Sequence, residues 1–226
     1  MADDGQAQAV SLLNALFQAL ALQKTQAVTG RWQKLFGGAS PDISATISGL
    51  YLYGGVGRGK TMLMDMFASC LDAGSYQRLH FHDFMVMAHN AVQAARDAGA
   101  TDPFIHAAEQ LIKAGHIICF DEMEVRDIAD AMIVQRLFTA LWNNGMVLIA
   151  TSNRAPDQLY LNGLHRDRFL PFIEQIKSRL TIHEIAGGLD WRQQYLADMS
   201  NWHVKTPDDD CTARLDTIFA RLTDNQ

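Results

Sequence analysis

The sequence predicts an α/β fold, a parallel sheet flanked by helices, and three apolar runs carry that prediction. The first, Gly49-Leu50-Tyr51-Leu52-Tyr53, stops at the glycine cluster Gly54-Gly55-Val56-Gly57-Arg58-Gly59, followed by Lys60 and Thr61. Gly54, Gly59, Lys60 and Thr61 keep the Walker A spacing, and they stand between an expected strand and an expected helix. The second run, His116-Ile117-Ile118-Cys119-Phe120, ends in Asp121 and Glu122, which is the Walker B arrangement. The third, Met146 to Ser152, ends in the polar amide of Asn153. Continuous apolar runs fit central parallel strands covered on both faces. Together they describe a P-loop nucleoside triphosphatase.

The chemistry follows from the residue types. Glycines let the backbone curl so that successive N–H groups face inward as an anion nest. Residues Gly54 to Met62 are therefore expected to cradle phosphates, with Lys60 adding a point charge and Thr61 a Mg²⁺ ligand. The apolar stretch from Met62 to Leu71 reads as a helix whose N-terminus aims its dipole at the same phosphates. Asp121, at the carboxyl end of a parallel strand where such sheets keep their ligands, is expected to hold Mg²⁺ directly or through water. Glu122 is placed to act on the attacking water as general base.

The bulk numbers set bounds. At 226 residues, 48% hydrophobic and 19% charged, the chain has an ordinary globular composition with enough apolar residues for a core. Its net charge of −6 argues against a sequence-independent nucleic-acid binder. Cys70, Cys119 and Cys211 are odd in number and widely spaced, which fits neither a metal signature nor a disulfide framework. With no signal-peptide pattern at Met1 to Gly5 and no apolar run of membrane-spanning length, the expected setting is soluble and cytoplasmic.

Taken in order, Val10, Leu13, Phe17 and Leu20 place an amphipathic helix over residues 6–24. Residues 25–48, rich in Gly, Ser and Thr, read as a linker, so 1–48 precedes the core. Lys24, Arg31 and Lys34 within it read as a solvated face. After the Walker A helix, Arg78 to His82 reads as a second strand and Asp83 to Ala98 as a helix. His80 and His82 would then share a sheet face; no third ligand has a matching spacing, so structural histidines are the preferred reading. The series Met62, Met64, Met66, Met85 and Met87 reads as core filling. A helix over 104–114 leads into the Walker B strand, and Asp127 to Leu141 forms the next helix. Asn153 fits a sensor of the γ-phosphate and the water, the alternative being a turn former before Pro156. Arg166 and Arg168 precede the apolar helix Phe172 to Arg179. Either can be an arginine finger given to a neighbouring subunit, with Arg166 preferred, the alternative being a surface salt bridge. Leu180 to Ile185 is a fifth strand that closes the core at 186. Residues 187–226 form a C-terminal segment with an amphipathic helix from Cys211 to Leu222.

The stretches GLYLYGGVGRGKTMLMDMF, QRLHFHDFM, ICFDEMEVRDIADAM, IATSN and NGLHRDRFLPFIEQIK resemble the ZapE family of AAA+ ATPases, bacterial cell-division ATPases with AFG-type mitochondrial relatives. The resemblance implies an AAA+ domain with sheet order 5-1-4-3-2, ATP with Mg²⁺, homo-oligomeric assembly and an association with the FtsZ division ring. By position it gives Lys60 and Thr61 to Walker A, Asp121 and Glu122 to Walker B, Asn153 to sensor 1 and Arg166 to the arginine before the Phe-x-Pro stretch. Gly188 to Arg192 is similar to a family segment, with Trp191 where tyrosine is usual, and Arg192 and Arg214 are the second-sensor candidates. Family members are longer at both ends, so a core segment or a short relative with an incomplete C-terminal region is expected. Adenine contacts are expected within residues 1–48. The resemblance places the protein at the division site, compatible with peripheral membrane association. Two other functions use the same core: a DnaC-like helicase loader, which the acidic balance disfavours, and a nucleotide-gated scaffold with little turnover.

Overall fold

The computed structural model describes residues 4–35 and 47–186, with side chains described up to Gln23 in the first of these. Everything expected of the C-terminal segment, including Trp191, Arg192, Arg214 and the helix from Cys211, lies outside the described residues.

Five parallel strands form one sheet: β1 (Gly49–Tyr53), β2 (Tyr76–His80), β3 (Ile117–Asp121), β4 (Val147–Ser152) and β5 (Leu180–Glu184). Their order is β2-β3-β4-β1-β5, the 5-1-4-3-2 order read from the other edge. The register sets Leu50 opposite Ile149, Leu52 opposite Thr151 and His80 opposite Asp121. Each of β1 to β4 is followed by helical structure before the next strand, as parallel pairing requires. The helices are α1 (Asp4–Leu35), α2 (Lys60–Ser69), α3 (Phe81–Asp97), α4 (Pro103–Leu111), α5 (Ile128–Asn143) and α6 (Leu170–Arg179).

Side-chain alternation along the strands feeds two cores. Leu50, Leu52, Cys119 and Ile149 face α1 and α2, meeting Ala9, Leu13, Leu63 and Phe67. Tyr51, Phe120, Leu148 and Ala150 face the opposite way, into a larger core closed by α3, α4, α5 and α6. The second core is aromatic. Phe138 has its ring centroid 4.9 Å from Phe172, 5.5 Å from Trp142, 5.9 Å from Phe84 and 6.1 Å from Phe120. Local signals start the helices around it. Asp102 and Asp127 accept hydrogen bonds from first-turn amides of α4 and α5, and Pro103 and Pro171 sit in the first turn of α4 and α6.

Three expectations are corrected. Residues 25–35 are not linker, because α1 continues to Leu35. Its run from Gln23 to Val28 has no breaker, and the first glycine pair is Gly37-Gly38. The second strand ends at His80, so His82 lies in the first turn of α3 and does not share a sheet face with His80. Pairing with β3 fixes that boundary, since β3 itself ends at Asp121 opposite His80. The methionines do not all fill the core. Met64 and Met85 are buried, whereas Met62, Met66 and Met87 are exposed, because helical period turns them outward. No helix among the described residues is long and apolar enough to cross a membrane.

Candidate functional site

β1, between β4 and β5, delivers the chain into the glycine loop at the carboxyl edge of the sheet. At Gly54 a Cβ would stand 2.6 Å from the Ile185 carbonyl oxygen, so the close approach of β5 excludes a side chain. Gly59 has φ 76 and ends the loop as the N-cap of α2. Helix α2 therefore begins at Lys60, and its unpaired N-terminal amides and dipole point toward the loop. Gly55, Val56, Thr61 and Met62 are exposed around that end, while Gly57 and Arg58 are half-buried.

Lys60 is only 9% exposed. Its ammonium donates to the carbonyls of Gly54 at 2.9 Å and Gly55 at 2.7 Å. Burial pulls its pKa below the ordinary lysine value, the Glu122 carboxylate opposes that shift, and Arg58 adds to it. The start of α1 closes over the same loop. Gln6 Nε2 donates to the Arg58 carbonyl at 3.2 Å, and His183 Nε2 lies 2.9 Å from the Gly5 carbonyl.

Two strands away, β3 presents Asp121 at its last position with 6% of its surface exposed. Oδ2 accepts from Arg78 Nε at 3.1 Å and Nη2 at 2.7 Å, and Oδ1 lies 3.4 Å from the Thr151 hydroxyl. The expected strand continued to Glu122; instead Glu122 turns away with φ 52, in the left-handed region, and its side chain is exposed. Its amide donates to Thr151 Oγ1 at 3.3 Å, which pins the turn to β4. The turn is pinned a second time by Met123, whose amide donates to the Thr151 carbonyl at 2.7 Å and whose carbonyl accepts from Ser152 Oγ at 2.9 Å. Asn153 follows directly after β4 and is exposed beside this laced pair of strand ends. Glu122 also lines a cavity of about 850 Å³ between the starts of α3 and α5, walled by His82, His89, Glu124, Asp127 and Asp130.

The two arginines differ. Both lie in the 3₁₀ turn Arg166–Arg168. Arg166 folds back and donates from Nη2 to the Asp157 carbonyl at 2.6 Å, with Nε buried and unpartnered. Arg168 is exposed, its Nη1 3.9 Å from Met132 Sδ.

A glycine loop and a buried lysine thus stand at the carboxyl edge of the sheet, with a buried acid two strands away. The model of the AFG1-like ATPase family matches residues 1–226. The chain belongs to this family. It is 39% identical over 225 residues to the cell division protein ZapE of Escherichia coli K12, covering 97% of this chain and 59% of that protein. It is 36% identical over 187 residues to the lactation elevated protein 1 homolog B of Danio rerio, covering 79% of this chain and 37% of the relative. The chain thus spans about three fifths of the length of the bacterial relative. Among solved structures it is similar to DnaI, with a TM-score of 0.49 and 15% identity over 82% of this chain and 84% of that one.

In this AFG1-like ATPase family member, three site residues were not marked by the sequence pattern. Arg78, Thr151 and Gln6 reach the site through pairings 43, 30 and 52 residues apart. A polar position inside the apolar run of β4 was the one available hint for Thr151; Arg78 and Gln6 lie in polar contexts with no such contrast. Thr61 and Asp121 are hard-oxygen donors of the kind Mg²⁺ takes. Asp121 fits that use because it is a buried carboxylate at the sheet's ligand edge with Oδ1 engaged only at 3.4 Å.

Proposed function

We propose that this chain binds ATP with Mg²⁺ and hydrolyses it, as the motor core of a protein that remodels or regulates a protein assembly. The observation that carries this reading is Lys60, a buried cation whose donors are turned into the phosphate loop at the start of α2. On nucleotide binding the ammonium leaves the two carbonyls for the β- and γ-phosphates, while the amides of Gly55 to Met62 take the remaining phosphate oxygens. Thr61 and Asp121 would hold Mg²⁺, which would supply charge neutralisation at the phosphates. Glu122 takes a proton from the attacking water, and its exposure lets that water reach it. Asn153, fixed just past β4, orients the water and the γ-phosphate.

The finger completing the site comes from a second copy of the chain. Arg168 is better suited to reach across than Arg166, whose guanidinium is held by the Asp157 carbonyl. The bacterial relative named a cell division protein supports a division-ring assembly, FtsZ or a partner of it, as the target, and hence a cytoplasmic position at the division site.

Steady-state ATP turnover across protein concentration, for wild type and Glu122→Gln, tests the reading. Glu122→Gln keeps nucleotide binding and loses turnover by about 10² or more, as expected for removal of a general base. Specific activity in the wild type rises with protein concentration when the finger arrives from a neighbour. Full turnover in Glu122→Gln refutes the assignment of the base, and flat specific activity refutes the finger in trans.

A further inference from the structure

We propose that Arg78 is a positioning residue that sets the separation of Thr61 and Asp121, the side chains assigned to Mg²⁺; the inference rests on the nucleotide reading of the site. Arg78 lies at the middle of the edge strand β2, in register with Cys119 of β3. All three nitrogens of its guanidinium are in use. Nε and Nη2 both donate to Asp121 Oδ2, at 3.1 and 2.7 Å, and Nη1 pairs with Asp65 Oδ1.

Asp65 belongs to α2 and follows Thr61 by four residues, so the two share one helix face a turn apart. Arg78 therefore joins the helix that carries one metal side chain to the strand that carries the other. The planar fork matters, because it fixes direction as well as charge; a lysine would supply a point charge on a flexible stem.

The fork also chooses which oxygen of Asp121 is free. Each carboxylate oxygen has two acceptor positions. Arg78 fills both on Oδ2, and Thr151 approaches Oδ1 only at 3.4 Å. Oδ1 keeps an acceptor position for a metal or its water. The Asp121 side chain is 8% exposed, and the Arg78 guanidinium supplies the partner and hydrogen bonds that a buried acid needs. A simple edge ion pair would hold the fold together without preferring one oxygen or reaching the helix of Thr61.

The test is calorimetric binding of a non-hydrolysable ATP analogue to wild type, Arg78→Gln, Arg78→Lys and Asp65→Asn, in chelator and across a Mg²⁺ series, with thermal melts of each protein. In Arg78→Gln the Mg²⁺ concentration for half-maximal tightening rises about tenfold or more, the size expected when a residue that orients a metal ligand is removed. Binding in chelator stays within about twofold of wild type, because the phosphate cradle is untouched. Arg78→Lys recovers part of the shift, and Asp65→Asn moves the midpoint the same way by less, since Asp65 is 56% exposed. An unchanged Mg²⁺ midpoint in folded Arg78→Gln overturns the proposal, as does an equal loss of affinity with and without Mg²⁺. If Arg78→Gln does not fold, unchanged midpoints in both Arg78→Lys and Asp65→Asn overturn it. Wild-type protein whose binding Mg²⁺ does not tighten refutes the nucleotide reading itself.

Discussion

Replacing Lys60 by methionine isolates the cation from the space its stem fills. Two quantities change, and they are separable. Without ligand, the Gly54 carbonyl loses its donor inside a buried loop position, whereas the Gly55 carbonyl belongs to an exposed residue and turns to water. One buried carbonyl left without a partner costs about 2 kcal/mol. In a domain of this size that lowers the melting temperature by roughly 4 to 8 °C. With ligand, the lost contacts are charge-assisted hydrogen bonds to phosphate, each about 1.5–3 kcal/mol, offset in part because the ammonium must first give up its two carbonyls. The net loss is about 3 kcal/mol, or roughly a hundredfold in dissociation constant. Calorimetry with a non-hydrolysable ATP analogue, paired with a thermal melt, reads both numbers. A folded Lys60→Met protein that binds the analogue within about twofold of wild type would refute the phosphate reading of the loop.

Three further outcomes test the fold around the site. Phe138→Ala removes the ring at the centre of the aromatic core, and denaturant unfolding should show a loss of about 3–5 kcal/mol with the slope unchanged; a loss under about 1 kcal/mol would contradict the packing described. Burial pushes the Cys119 thiol up to about 12, so alkylation at pH 8.5 should label exposed Cys70 in the native protein and Cys119 only after unfolding. Between the ordinary thiol value of 9.0 and about 12 the unfolded chain releases this proton while the folded chain keeps it, so Cys119 makes stability fall as pH rises through that window. In a pH series, Cys119→Ala should lose that part of the slope; an unchanged slope would count against the burial.

Much of this architecture was legible because the central strands are unbroken apolar runs ending in polar residues. Leu50 to Tyr53, Ile117 to Asp121 and Val147 to Ser152 announced themselves, as did the loop from Gly54 to Thr61 that geometry restricts to few residue types. Edge strand β2 was placed two residues late, since its half-exposed pattern carries little periodicity and only pairing with β3 sets where it stops. The reach of α1 to Leu35 was hidden by small polar residues that suit either a linker or a helix. The contacts of Gln6 and Arg78 could not be read at all, because they join segments far apart in sequence whose meeting depends on the sheet order.

The left-handed backbone at Glu122 has a consequence for how this protein would evolve or be engineered. A residue with a side chain held at φ 52 stores roughly 1–2 kcal/mol relative to glycine at the same point. Selection for heat resistance alone would therefore drift toward glycine there, raising the melting temperature of a molecule that had lost its proposed base. Under the role proposed for Glu122, catalysis and thermal robustness pull in opposite directions at a single φ angle, and an acid is retained there by selection on turnover.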